Sequence, residues 1–232
     1  MSSVTTQNTR LGIWLMIATS VVFAAQDGIS RHLATNYSVM MVVMIRFWVF
    51  ALFVLAVAAS SAGGLRAAAR SRMPWVQLAR GVILVAEICV MVVGFVKLGL
   101  IEAHAVFASY PLLIAALSGP ILGEKVGWRR WTAIVAGFVG ILIILEPGVA
   151  VISPWALVPL LAAFMFAVYG LLTRYVARKD PAPVSFFWTG VVGAVAMTPF
   201  GLANWTWMTP TDWAWMATLC CTAVLGHWLL IR

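Results

Sequence analysis

The sequence predicts an all-α membrane protein, a polytopic helix bundle of about eight transmembrane helices, and three observations predict it. Composition is the first: 63% of the 232 residues are hydrophobic and 9% are charged, against about 25% charged in ordinary soluble domains. Mean hydropathy is +1.02. So few charges cannot cover a water-facing surface, and lipid must be the solvent for most of the chain. The second is spacing, because apolar runs of roughly 20 residues, the length a helix needs to cross the hydrocarbon core, recur from one end to the other. The third is placement: tryptophans and basic residues gather at the ends of those runs, as interfacial anchors do.

Taken in order, spans are expected near 11–33, 38–60, 75–97, 103–122, 129–146, 153–176, 183–203 and 212–232. Lipid offers no partners for free backbone groups, so each span must be a helix or part of a closed barrel. Barrel strands would read as alternating segments of about ten residues; these runs are longer and uniformly apolar. The first run follows a short polar stretch, Met1–Arg10, and is too long for a signal-peptide core, so it reads as a retained helix. Ser61-Ala62-Gly63-Gly64 ends the second span and Met73-Pro74 opens the third. Inside the fourth, Tyr110-Pro111 removes a backbone hydrogen bond and predicts a kink. Leu122-Gly123 closes the fourth span, Pro147-Gly148 the fifth, and Asp180-Pro181 separates the sixth from the seventh. Trp75, Trp128, Trp131, Trp155, Trp205, Trp207 and Trp213 stand near span ends.

The net charge of +8 does not indicate nucleic-acid binding, which needs a folded basic face. Arg66, Arg70 and Arg72, like Lys125, Arg129 and Arg130, sit instead in short connectors, the arrangement of loops facing anionic headgroups. One set of alternate connectors holds these residues together with Arg10, Arg174, Arg178, Lys179 and Arg232. The opposite set holds Arg31 and Lys97 plus the acids Glu102, Glu146 and Asp212. Positive residues stay inside, so the N-terminus is expected in the cytoplasm of a bacterial inner-membrane, multi-pass protein. Cys89, Cys220 and Cys221 all fall in apolar runs without metal or disulfide spacing and are expected as small buried packing residues.

Offset by 143 residues, Phe23-Ala24-Ala25-Gln26-Asp27-Gly28-Ile29-Ser30-Arg31 lies over Phe166-Ala167-Val168-Tyr169-Gly170-Leu171-Leu172-Thr173-Arg174. Phe-Ala, a hydroxyl residue and the arginine coincide. A repeat of five helices is odd in number, so its second copy is inverted in the membrane, an architecture of secondary transporters. The expected organisation is a first repeat over 1–148 with five helices and an incomplete second over 149–232 with three. Two helices matching 103–146 are expected beyond the present end.

The residues Tyr110-Pro111-Leu112-Leu113 through Leu117, then Leu122-Gly123-Glu124-Lys125, then Gly137-Phe138-Val139-Gly140-Ile141-Leu142-Ile143 resemble the signature of the EamA-type drug/metabolite transporters. Gln26-Asp27-Gly28-Ile29-Ser30, Ile45-Arg46-Phe47 and Leu172-Thr173-Arg174 are similar to the same family. The resemblance covers nearly the whole chain and is closest to a branch with riboflavin and S-adenosylmethionine permeases. It implies a ten-helix, 5+5 inverted-repeat transporter fold around a central cavity open alternately to either side. The ninth and tenth helices of that fold are absent from this sequence.

Ionisable groups inside a membrane are costly and mark functional candidates. Asp27, Arg46, Glu87, His104 and His227 qualify. Asp27 and Arg46 are expected to pair, either as a structural ion pair or along the substrate path, with Gln26 offering hydrogen bonds beside them. Glu87, deep in its span, is a candidate substrate or proton-coupling group, or else a helix-bridging carboxyl. Tyr110, Tyr169, Trp188 and Trp228 are candidates to stack on a flat substrate, against plain packing. Arg80 lies nearer the cytoplasmic end and is expected to snorkel as a structural residue. Glu102 suits the start of its helix, where the dipole favours an acid. Ala133, Gly137 and Gly140 form a small-residue face for close helix packing.

The function expected is a secondary permease for a small organic metabolite, with membrane lipid and that metabolite as partners. No nucleic acid is expected, and a homodimer is left open. A non-transporting receptor or assembly subunit is the first alternative. A membrane-embedded enzyme is the second, and no nucleophile or metal motif supports it: the three histidines lie on three distant helices with no paired aspartates. Neither a cofactor nor ATP-driven pumping is expected.

Overall fold

The computed structural model describes residues 9–61, 63–124, 127–144 and 153–231, excluding the side chains of 9–13, 16, 144 and 227–231. Among the described residues the chain is helical throughout, with no strand. The elements are α1 (Thr9–Asn36), α2 (Val39–Ser60), a short α3 (Gly64–Ala69), α4 (Pro74–Lys97), α5 (Leu100–Phe107), α6 (Tyr110–Leu122), α7 (Trp128–Ile144), a 3-10 turn (Pro154–Ala156), α8 (Leu157–Val176), α9 (Ala182–Ala203) and α10 (Pro210–Ile231). Within the described residues, every expected span falls on helix. Among the described residues, five runs are long and apolar enough to cross a membrane by length and composition: Val39–Ser60, Pro74–Lys97, Leu100–Leu122, Pro154–Val176 and Ala182–Ala203. The expected stop at Pro147-Gly148 lies outside the described residues.

The fourth span is two helices rather than one. Pro111 has no N–H for the Phe107 carbonyl, and α5 ends there; Ala108 and Ser109 bridge to α6. The Ser109 hydroxyl is buried at this break without a hydrogen-bond partner. At the far end of α6, Gly123 takes a left-handed φ of 74°, a conformation open to glycine, and terminates the helix. Glu124 beside it accepts from Arg174 at 2.9 Å and faces Arg130 at 3.6 Å, joining the ends of α6, α7 and α8.

The tightest pairing is α2 on α9, where Gly190, Gly193 and Gly201 let the backbones approach. A Cβ on Gly193 would stand 2.1 Å from the Phe47 ring. Val43, Phe47 and Phe50 of α2 share one core with Val85 and Cys89 of α4 and Ala194 and Met197 of α9. α1 packs on α10, and α4 packs on α8. Leu52, Ile101, Val139, Val195 and Phe200 point outward and exposed, as a lipid-facing surface requires. Within the small-residue face of α7, Gly137 faces Leu112 of α6, whereas Gly140 has open space around it. Cys89 and Cys220 are buried as expected; Cys221 is exposed, because it follows Cys220 by about 100° around α10.

Two connector clusters tie the bundle at its ends. Asp212 at the start of α10 accepts from Tyr37 and Thr209, each at 2.7 Å, and lies 3.1 Å from His32 Nε2. At the α8–α9 turn, buried Asp180 accepts from the Ser71 hydroxyl, from the Arg72 N–H at 2.8 Å and from Gln77 Nε2 at 3.0 Å. Burial alone would raise its carboxyl, but the hydrogen bonds from Ser71, Gln77 and Arg72 together hold it below the usual carboxylate range.

Candidate functional site

A cavity of about 700 Å³ lies at the centre of the bundle, walled by α1, α2, α4, α5, α6, α8 and α9. This falls within the roughly 300–1,000 Å³ of small-molecule pockets. One end is lined by Asp27 and His104 and the other by Asp180 and Pro181 at the α8–α9 turn. Of the ten residues expected to line a substrate path, seven meet here: Gln26, Asp27, Arg46, Glu87, His104, Tyr110 and Tyr169. Trp188 does not; its indole donates to the Ala69 carbonyl at 3.2 Å and is turned toward α3. The side chains of His227 and Trp228 lie outside the described residues.

The periplasm-facing pole expected from the sequence has different partners from those foreseen. Arg46 does not pair with Asp27. Its Nη2 donates to Gln26 Oε1 at 2.7 Å, and Gln26 Nε2 reaches across to the Thr222 carbonyl of α10 at 3.3 Å. Asp27 instead contacts His104 Nε2 at 3.0 Å. Two histidines therefore do face aspartates, His104 with Asp27 and His32 with Asp212, although each pair is far apart in sequence. Glu87 is buried on α4 and makes no hydrogen bond with any described residue. The charges acting on it are those of Arg46 and Asp27.

Arg80 is the largest correction. Rather than snorkelling to the membrane surface, it is 2% exposed. Its five N–H donors all find neutral acceptors: Gln77 Oε1, Tyr169 Oη, Thr173 Oγ1, the Ser185 carbonyl and Thr189 Oγ1, at 2.5–3.2 Å. The guanidinium also lies 5.2 Å from the centre of the Tyr169 ring. Snorkelling needs a free path to the interface, and here α8 and α9 close over α4 and supply the hydrogen bonds a buried cation requires. Sequence spacing held a signal for this: Gln77, Arg80, Leu84, Glu87 and Met91 recur at three- and four-residue steps and define one face of α4.

One wall is aromatic, which single-residue reading missed in part. Phe107 and Phe166 join Tyr110 and Tyr169, with ring centres 5.0–6.0 Å apart. Phe95 stacks flat on His104 at 5.0 Å. The break between α5 and α6 places Phe107 and Tyr110 together on this wall.

Residues 10–146 match the EamA-like transporter family. The chain belongs to that family. EamA-like proteins are permeases of small metabolites, and this one is accordingly a multi-pass membrane protein. Among its relatives, the S-adenosylmethionine uptake transporter of Rickettsia bellii is 28% identical over 201 residues, covering 87% of this chain and 67% of the relative. That of Rickettsia felis is 28% identical over 200 residues, covering 86% and 66%. The riboflavin transporter of Rhizobium johnstonii is 35% identical over 108 residues, covering 47% and 36%. The EamA-like chain thus spans about two thirds of the length of the S-adenosylmethionine relatives. No solved structure matches it.

Proposed function

We propose that this chain is a secondary permease of a bacterial inner membrane, with its N-terminus in the cytoplasm. It moves a small organic metabolite through the central cavity by alternating access. The observation that carries this is the cavity itself: charged and hydrogen-bonding at both ends, aromatic on one wall, and enclosed by helices whose outer faces are apolar. Burying that many ionisable groups in a membrane is costly unless they face a shared wet space.

The organisation into repeats over 1–148 and 149–232 has support in the packing. α1 sits on the third span of the second segment, and α4, the third span of the first, sits on α8; α2 sits on α9, its counterpart. Exchange of the two segments leaves these pairings unchanged, as a two-fold relation between repeats demands. The cavity lies where the two segments meet, which is where rocking of one against the other would open it to alternate sides.

Both metabolites named for the relatives combine a flat nitrogen heterocycle with a polar chain. The aromatic wall offers stacking surface for such a ring. Arg46, whose guanidinium makes one hydrogen bond among the described residues, and Glu87, which makes none among them, face the same cavity and suit a charged or polar chain. The test is uptake of radiolabelled S-adenosylmethionine and riboflavin into proteoliposomes. We expect saturable exchange of at least one of them, reduced about tenfold or more in Arg46→Gln and Glu87→Gln. Uptake no greater than in empty liposomes for both compounds, or variants equal to wild type, would overturn the assignment.

A further inference from the structure

We propose that Asp27 and His104 together hold the proton that couples transport through this cavity, a reading that rests on the permease function above. His104 Nδ1 lies 2.8 Å from the Leu100 carbonyl, which only accepts, so Nδ1 carries a hydrogen. Nε2 lies 3.0 Å from Asp27 Oδ2. A bare ring nitrogen and a carboxylate oxygen are both acceptors and cannot bond; the contact therefore contains a proton, on the ring or on the acid. Phe95, stacked at 11° to the imidazole, fixes the ring plane that makes both bonds.

Several charged and titratable groups surround the pair. Facing it are Arg46 from α2 and Glu87 from α4, with the phenols of Tyr110 on α6 and Tyr169 on α8. Lys97, at the end of α4, lies over the Trp155 ring at 5.4 Å. α7 also touches α5, but its described basic residues stand at its first turn, Arg130 beside Glu124 and Arg129 over the Trp128 ring. Arg80 does not reach the pair, because all five of its donors are engaged at the other end of the cavity.

Both partners line the cavity and are partly open to it, with side chains 30% and 42% exposed. The proton can therefore leave to cavity water, and it is the bridge between α1 and α5 that its departure breaks. A cationic substrate group entering the cluster takes the place of the departing proton, one charge for one charge, which yields exchange of a proton for a cation.

The test uses the full chain in proteoliposomes with S-adenosylmethionine, a sulfonium cation, and an internal pH dye. In wild type, an inside-acid gradient should raise uptake at least about fivefold over gradient-free exchange, with proton exit reported by the dye. In Asp27→Asn and His104→Gln the ratio of gradient-driven uptake to exchange should fall to near one. A wild-type ratio in either variant, or net uptake without proton exit, overturns the proposal. Should wild type move no S-adenosylmethionine, the permease reading fails for that substrate, and nitrogen-15 spectra of the histidines in detergent decide the proton site alone. They should show both His104 nitrogens hydrogen-bonded to protons in wild type and one in Asp27→Ala; identical spectra overturn it.

Discussion

Gly193 gives the sharpest test of how the cavity is held. A methyl group there would stand 2.1 Å from Phe47 Cδ1, 2.3 Å from Cε1 and 3.0 Å from Cγ. The ring cannot swing clear, since Phe47 is 4% exposed and sits in the core shared by α2, α4 and α9. Overpacking of this kind costs about 1–3 kcal/mol, or a fall of about 2–12 °C at the roughly 2–4 °C per kcal/mol expected for a chain this size. Gly193→Ala should show that loss in heat unfolding of the detergent-solubilised protein, followed by a thiol-reactive dye reaching buried Cys89 and Cys220. Gly140→Ala, with nothing within 4 Å, should be neutral or stabilising by up to about 1 kcal/mol. On a Phe47→Ala background the Gly193 substitution should cost less than about 0.5 kcal/mol, because its neighbour is gone. Equal stability of Gly193→Ala and wild type, or an undiminished penalty without the ring, would refute the close packing of α2 on α9.

Two further outcomes follow from the polar network around Arg80 and Asp180. Arg80→Lys offers three donors from one point where five acceptors surround a planar fork, and should lower unfolding free energy by about 2–3 kcal/mol; unchanged heat stability would contradict it. Asp180 has its carboxyl held below the usual range, so its stabilisation is complete above the unfolded value of about 3.9 and fades as pH falls from there through the folded value. The stability difference between wild type and Asp180→Asn should therefore be constant near neutrality and shrink below about pH 4. A difference that grows on acidification would show the sign to be wrong.

The helices were legible in the sequence because lipid leaves a long apolar run no other stable form. Expected 38–60, 75–97 and 183–203 became Val39–Ser60, Pro74–Lys97 and Ala182–Ala203. Position along each helix was legible too, since residues along a helix can be counted. Azimuth and partnership were less so. Asp27 pairs with His104, 77 residues away, rather than Arg46, because the break near Pro111 sets the position of α5. Trp188 and Thr189 are adjacent in sequence, yet Thr189 lines the cavity with Arg80 while Trp188 turns to α3. Arg80 looked able to reach the interface until α8 and α9 enclosed it. The polar stripe from Gln77 to Glu87 was the local signal that these side chains share one face of α4.

The central claim is that this face encloses water at mid-membrane while the outer faces meet lipid. It is tested most directly by thiol labelling of single cysteines in membrane vesicles, with Cys221 replaced by alanine. Leu84→Cys faces the cavity from the middle of α4, and Val195→Cys faces outward from α9. A water-soluble maleimide should label Leu84→Cys readily and Val195→Cys hardly at all. Equal, slow labelling of both would mean that no wet cavity exists.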